Sequence, residues 1–253
     1  MTEADEVELR ARRANSFGPT AETYSAHRPD YPLDGIRWAL QPMNGTPVVL
    51  DLGAGTGKLT GGLLACGATV TAVEPDPAMR AEFTRHYPQV SVLDGSAEAV
   101  PLPDSSVDAV VAGQAMHWFD LDHAFPEIAR VLRPGGVLAG LWNDDDREVG
   151  WVRELADVAA SSVSKKAGPN VEALPVHPMF HPFETAEFTH SMRTTAAGLT
   201  ATIGTHSHTL VISPQERAQI LDGITAFLLS RPETGAGEFL LPLRTTVIRA
   251  VMR

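Results

Sequence analysis

Between residues 47 and 142, short runs of apolar and β-branched residues alternate with stretches whose apolar positions recur every third or fourth residue. The first kind predicts strands over Val48–Leu52, Ala68–Glu74, Val90–Leu93, Val107–Ala112 and Val137–Trp142. The second kind predicts helices over Thr60–Ala65, Pro77–His86 and Leu121–Leu132. Asp76 is placed to cap the second helix, with Pro77 at its first position. Arg133-Pro134-Gly135-Gly136 is read as the stop after the third. Each strand is apolar on both faces, as a parallel sheet covered by helices requires. The expected fold class is α/β, a doubly wound Rossmann-like sheet with helices on both faces.

The flanks are less regular. Residues 1–14 are charged and predict a loose helix or frayed arm, and Arg28-Pro29-Asp30-Tyr31-Pro32 predicts a fixed turn opening a helix over 33–40. Asn143-Asp144-Asp145-Asp146 is a polar break. A helix is expected over 151–164, a loop over 165–182, a strand over 183–192 and a helix over 214–229. That last helix carries Ser213 as N-cap and Glu216 three positions on, a capping box. A final strand is expected over 245–252. The expected organisation is an N-terminal arm or cap, 1–32, and one domain, 33–253. Its cofactor-binding core is 46–142, and 143–253 forms the lid and C-terminal half. Residues 165–182 are the candidate substrate lid.

The chain has 253 residues, 43% of them hydrophobic, enough for a sizeable core. Its formal net charge is −11 and its longest basic run is Lys165-Lys166, which argues against a nucleic acid or an anionic membrane as partner. The single cysteine, Cys66, ends an apolar run and is expected in the core rather than as a reactive thiol. The acidic first residues lack the apolar stretch of a signal peptide, and no run is long enough to span a membrane. A cytoplasmic monomer or homodimer acting on a small molecule is expected.

Candidate chemistry gathers at the first strand. Asp51-Leu52 runs into Gly53-Ala54-Gly55-Thr56-Gly57-Lys58-Leu59, and doubly wound sheets bind ligands at the carboxyl ends of their strands. The spacing departs from a dinucleotide fingerprint at Lys58. It also lacks the Ser or Thr that should follow the lysine of a nucleotide-triphosphate loop. A nucleoside joined to an amino acid, without phosphate, is the third class, and Asp51 suits its ammonium. Glu74 ends the second strand, where an acid can accept ribose hydroxyls; this placement fits NAD as well. Asp94-Gly95-Ser96-Ala97-Glu98 follows the third strand, where a carboxylate and backbone amides can read adenine. Acids at three successive strand ends are more specific than any one alone.

These stretches resemble the class I S-adenosylmethionine (SAM)-dependent methyltransferases of the type 11 subgroup. Leu50–Gly57 and Val73-Glu74-Pro75-Asp76 resemble the first two motifs, and Asp94–Glu98 and Val131–Leu138 the later ones. The likeness is dense over 48–142 and thin beyond. Tyr24-Ser25-Ala26-His27-Arg28-Pro29-Asp30-Tyr31-Pro32 and Gln114-Ala115-Met116-His117-Trp118-Phe119 resemble the branch containing trans-aconitate and juvenile-hormone-acid methyltransferases. The resemblance implies a seven-stranded sheet with an antiparallel last strand. It implies SAM as cofactor and S-adenosylhomocysteine as product, bound by Tyr24, Arg28, Asp51, Gly53, Ala54, Gly55, Thr56, Gly57, Glu74, Pro75, Asp94, Gly95, Ser96, Ala97, Glu98 and Gln114.

Methyl transfer from a sulfonium is an in-line displacement in which the protein supplies position and electrostatics. Gln114, His117 and Trp118 follow the fourth strand and are the candidate catalytic residues. His117 is read as a base or as a group that holds an oxygen, against a plain structural histidine. Trp118 is read as a pocket wall, against packing. Arg28 is read as a carboxylate partner, against a surface arginine. His177 and His181 have metal-pair spacing, but Pro178 and Pro182 oppose a helix; His206 and His208 could share a strand face, and no metal is expected. The expected activity is methyl transfer to a carboxylate or hydroxyl oxygen of a small molecule. A non-methylating reaction on the same scaffold, N- or C-methylation, and a non-enzymatic SAM-binding protein are the alternatives.

Overall fold

A computed structural model describes residues 28–163 and 177–253. In chain order these form α1 (Leu33–Leu40), β1 (Val48–Leu52), α2 (Lys58–Ala65), β2 (Thr69–Val73), α3 (Pro77–His86), β3 (Ser91–Leu93) and β4 (Val107–Gly113). A short 3-10 turn (Met116–Trp118), α4 (Leu121–Val131), β5 (Leu132–Asp145), α5 (Gly150–Val158) and β6 (Glu184–Thr194) follow. The chain ends with α6 (Ala196–Gly204), α7 (Ser207–Leu210), α8 (Pro214–Leu229) and β7 (Phe239–Val251). None of the described helices is long and apolar enough to cross a membrane.

The strands form one seven-stranded sheet in the order β3-β2-β1-β4-β5-β7-β6. β3, β2, β1, β4 and β5 pair in parallel. β7 runs against β5: Met252 N–H donates to Gly136 O at one end and Asp146 N–H to Pro242 O at the other. The seven-stranded sheet and its antiparallel strand follow the expectation, but β7 begins six residues before residue 245. Pro242 lies inside it and marks the run as a poor strand from sequence alone.

The residues fall into two compact units. The sheet unit holds 30–144, 177–188 and 244–253 among the described residues. Alternate residues of its strands feed two cores. Leu50, Leu52, Val110 and Leu138 join Phe125 and Ile128 of α4. Val49, Val111, Val137 and Ala139 join Ile36, Leu59, Leu63 and Phe83 from α1, α2 and α3. A strand's two-residue period thus places helices on both faces. The helical unit holds 28–29, 145–163 and 189–243, and its core gathers Val152, Leu199, Ile203, Ile224 and Leu241.

Several sequence expectations are corrected. α4 does end just before Arg133-Pro134-Gly135-Gly136, at Val131, but β5 starts there rather than at Val137, and these four residues form an irregularity in it where the register passes from Val107 opposite Leu132 to Ala109 opposite Val137. α5 ends at Val158 rather than 164. α6 was not foreseen, because its threonines and glycines hide a buried face of Ala196, Leu199, Thr202 and Ile203. His206 and His208 share no strand; His208 lies on α7 and His206 precedes it. Ser213 accepts from Glu216 N–H, but the Glu216 carboxylate accepts from Ser162 N–H and Oγ instead of returning to the cap, so only half of the capping box forms. Cys66 is half-buried at the end of α2 rather than in the core. The expected loop is outside the described residues up to residue 176.

Candidate active site

β1 and β4 are neighbours, and β2–β3 leave to one side while β5 continues on the other. The chain order reverses between them, which opens a crevice beyond their carboxyl ends. The glycine turn of β1 enters this crevice. Gly53 and Ala54 N–H both donate to Val73 O, so the turn is fastened to the end of β2. Gly55 has φ of +56° and Gly57 of +91°, a region most side chains avoid. A Cβ on Gly57 would strike the Tyr87 ring at 2.6 Å, whereas a Cβ on Gly55 would meet none of the described residues within 4 Å. The space above Gly55 is therefore open to a ligand.

Beneath the turn, Asp51 is fully buried and its Oδ2 accepts from Thr60 Oγ1 at 2.6 Å. Burial pushes its carboxyl up to about 7, with Thr60 pulling the other way and Glu74 adding to the rise. Asp51 Oδ1 and Thr56 Oγ1 are buried with no hydrogen-bond partner among the described residues. Buried polar atoms of this kind call for a ligand or water. Glu74 follows β2 and accepts two backbone N–H groups, Gly55 at 2.9 Å and Asp76 at 2.9 Å. Burial still raises its carboxyl above the usual range, against those two bonds. Lys58 pairs with Asp30 at 3.3 Å, so the lysine after the glycine turn faces a carboxylate.

Past β3, the exposed Asp94 carboxylate pairs with Arg80 Nη1 at 3.0 Å. That same Nη1 donates to Glu74 O and Pro75 O, so one guanidinium ties the ends of β2 and β3 together. Ser96 forms a small bridge with Ala99, and Ala97 is buried. Glu98 accepts from Asp120 N–H at 2.8 Å and so fixes the start of α4.

At the end of β4, Gln114 has φ of +52°, a strained backbone for this residue type and common at functional sites. Its side-chain amide donates to Asn143 O at 2.6 Å. Ala115 packs against the glycine turn so closely that a Cβ on Gly53 would meet its own at 2.8 Å. This contact brings the 114–119 segment beside β1. His117 is exposed and its ring lies 4.6 Å from that of Trp118. The buried Trp142 indole N–H donates to His117 Nδ1 at 3.2 Å. Nδ1 is thus an acceptor, and the ring proton sits on Nε2.

The structure brings together Asp51, Glu74, Asp94, the glycine turn, Gln114, His117 and Trp118 within the sheet unit. Arg28 belongs to the helical unit, where Nε and Nη2 donate to Thr205 Oγ1 and O, both at 3.1 Å. Tyr24 lies outside the described residues. Thr60, Arg80, Trp142 and Asn143 escaped the sequence reading. Each acts on a partner nine or more residues away, and only the fold supplies the pairing.

Residues 50–140 match the family described as a methyltransferase domain. An uncharacterised methyltransferase of Mycobacterium tuberculosis is 37% identical over 238 residues, 94% of this chain and 96% of its own length. The malonyl-acyl-carrier-protein O-methyltransferase of Methylococcus capsulatus is 43% identical over 97 residues, 36% of this chain and 35% of its own. A structure from Anaeromyxobacter dehalogenans, assigned provisionally as a type II methyltransferase, superposes with a TM-score of 0.66 at 29% identity, covering 89% of this chain and 97% of that one. With the sheet order, the glycine turn and these matches together, the chain belongs to the class I, Rossmann-like SAM-dependent methyltransferases.

Proposed function

We propose that the enzyme methylates an oxygen of a small molecule, and that this oxygen belongs to a carboxylate. The tautomer of His117 carries this reading. A hydroxyl acceptor needs a base to take its proton, and a neutral imidazole whose Nδ1 is occupied and whose Nε2 bears the proton is a donor. A carboxylate is already ionised at neutral pH and needs only to be held. The malonyl-acyl-carrier-protein O-methyltransferase of Methylococcus capsulatus and the resemblance of 24–32 and 114–119 to carboxylate-methylating enzymes point the same way.

The residues present fit SAM. The open space above Gly55 admits a ligand against the backbone, and the orphaned Asp51 Oδ1 and Thr56 Oγ1 are buried polar atoms that need partners. Bound SAM supplies a methyl group on a sulfonium, open to in-line displacement. Asp51 and Thr56 hold the amino-acid end of the cofactor. Glu74 holds the ribose, and its two backbone bonds keep the carboxylate aimed. The Asp94–Ala97 loop lines the adenine side. Gln114 keeps its carbonyl oxygen for the ligand while its amide is anchored on Asn143. His117 Nε2–H steadies the acceptor oxygen, and Trp118 walls the pocket.

The test is incubation with SAM and a panel of small carboxylic acids, phenols and amines, measuring S-adenosylhomocysteine and the methylated product. Methyl esters should form, and His117→Gln, which keeps an N–H donor, should retain more kcat/KM than His117→Ala. Methylated phenols or amines without esters would overturn the carboxylate reading, as would equal loss in the two variants.

A further inference from the structure

Two adjacent glycines, Gly61 and Gly62, lie inside α2, where glycine is the poorest helix former after proline. Each makes room for a side chain from another element. A Cβ on Gly62 would run into Ile36 of α1, and a Cβ on Gly61 would meet Tyr87 Oη at 2.5 Å. The same tyrosine ring fills the space beside Gly57. Gly57 and Gly61 are four residues apart and share one side of the helix start. Together they form a notch in which the Tyr87 ring lies.

Tyr87 is held from behind. It follows α3, where its N–H donates to Phe83 O at 2.8 Å and its own O accepts from Val90 N–H at 3.0 Å. Its ring centroid is 5.5 Å from that of the fully buried Phe83. Burial, and after it Asp30 and Asp51, push its phenol above the usual range. The helical turn it presses on carries groups of the cofactor site. Thr60, between the two glycines of the notch, donates to Asp51 Oδ2 at 2.6 Å, and Lys58 pairs with Asp30 at 3.3 Å. Packed interiors pass such displacements on, so a shift of this turn moves Thr60 and the carboxylate it holds.

We propose that Tyr87 is a positioning residue for the cofactor: seated in the Gly57–Gly61 notch, it sets the first turn of α2 and, through Thr60, the aim of the Asp51 carboxylate. This role rests on the assignment of Asp51 to the amino-acid end of SAM. The fit over Gly61 depends on the hydroxyl. Tyr87 Cζ and Cε1 stand 3.5 and 3.8 Å from the same Cβ, which is ordinary contact. A methyl group at 61 and a hydroxyl on the ring therefore exclude each other, whereas alanine at 61 is compatible with phenylalanine at 87.

The experiment is calorimetry on the full chain with two probes, SAM and 5′-methylthioadenosine, which keeps the nucleoside and the sulfur but lacks the amino-acid end. Gly61→Ala should weaken SAM binding at least about fivefold and 5′-methylthioadenosine binding by less than about twofold. Tyr87→Phe alone should stay within about twofold of wild type for both probes. Adding Tyr87→Phe to Gly61→Ala should bring SAM affinity back to within about twofold of wild type, a coupling in the range of directly packed pairs. Tyr87→Leu, which empties the notch without a clash, should show the same SAM-selective loss, and it decides the matter if Gly61→Ala does not fold. Equal loss for the two probes would mean general damage to the fold and would overturn the role. So would wild-type SAM affinity in Gly61→Ala or Tyr87→Leu, or no recovery in the double variant. Asp51→Asn is titrated alongside. If it keeps wild-type SAM affinity, the assignment of Asp51 falls and the role of Tyr87 with it; if it binds weakly while the Tyr87 and Gly61 variants bind normally, the role of Tyr87 fails alone.

Discussion

Gly55 and Gly57 stand two residues apart and share a positive φ, yet their surroundings differ. An alanine Cβ at 57 would drive into the Tyr87 ring, but at 55 it would project into open space. Gly57→Ala should therefore destabilise the protein by about 2–4 kcal/mol, combining backbone strain with overpacking. Gly55→Ala should cost only about 1–2 kcal/mol of strain but weaken SAM binding at least about tenfold, because the methyl group fills the cofactor's approach. Urea unfolding and calorimetry on both variants check this. Equal stability losses, or SAM affinity kept in Gly55→Ala, would count against the assigned ligand space.

Asp51 gives a pH prediction at the same scale. The unfolded carboxyl titrates near 3.8 and the folded one at about 7. Between these values the folded chain keeps a proton that the unfolded chain has released, so stability falls as pH rises through the window and is level above it. Asp51→Asn removes this slope. Urea midpoints at about pH 5 and about pH 8 should differ more for the wild type than for the variant. SAM binding carries the opposite sign, since its ammonium favours the ionised carboxylate and affinity should rise through about pH 7.

Among the elements, the strands were the legible part. Val48–Leu52, Val107–Ala112 and the acids that follow β2 and β3 could be read from apolar runs, because a parallel strand buried on both faces is apolar on both. The cap of α3 was legible too: Asp76 accepts from Ala78 and Met79 N–H at 2.8 and 3.0 Å. Contacts made across the fold were not. The Arg80 clamp on Glu74, Pro75 and Asp94 looks in sequence like one more surface arginine on α3, and the tautomer of His117 depends on Trp142, twenty-five residues on. Arg80→Met should therefore raise KM for SAM about tenfold to a hundredfold while leaving kcat within about twofold, the range for one charge-assisted hydrogen bond. Steady-state kinetics decides the matter, and a fall in kcat with KM unchanged would remove Arg80 from cofactor positioning.

At the scale of the molecule, the parallel strands of one mixed sheet gather Asp51, Glu74, Asp94 and Gln114 at their carboxyl ends. The resulting crevice offers carboxylates and an open glycine, and Lys58, the cation that a phosphate loop would use, is paired with Asp30. Such a site suits a sulfonium-bearing, phosphate-free nucleoside and repels a pyrophosphate. Calorimetric titration of the wild type with SAM, S-adenosylhomocysteine and NAD tests this most directly. Saturable binding of the first two and no heat from NAD is the predicted result. Saturable binding of NAD without binding of SAM would contradict the assignment of the glycine turn and of the acids around it.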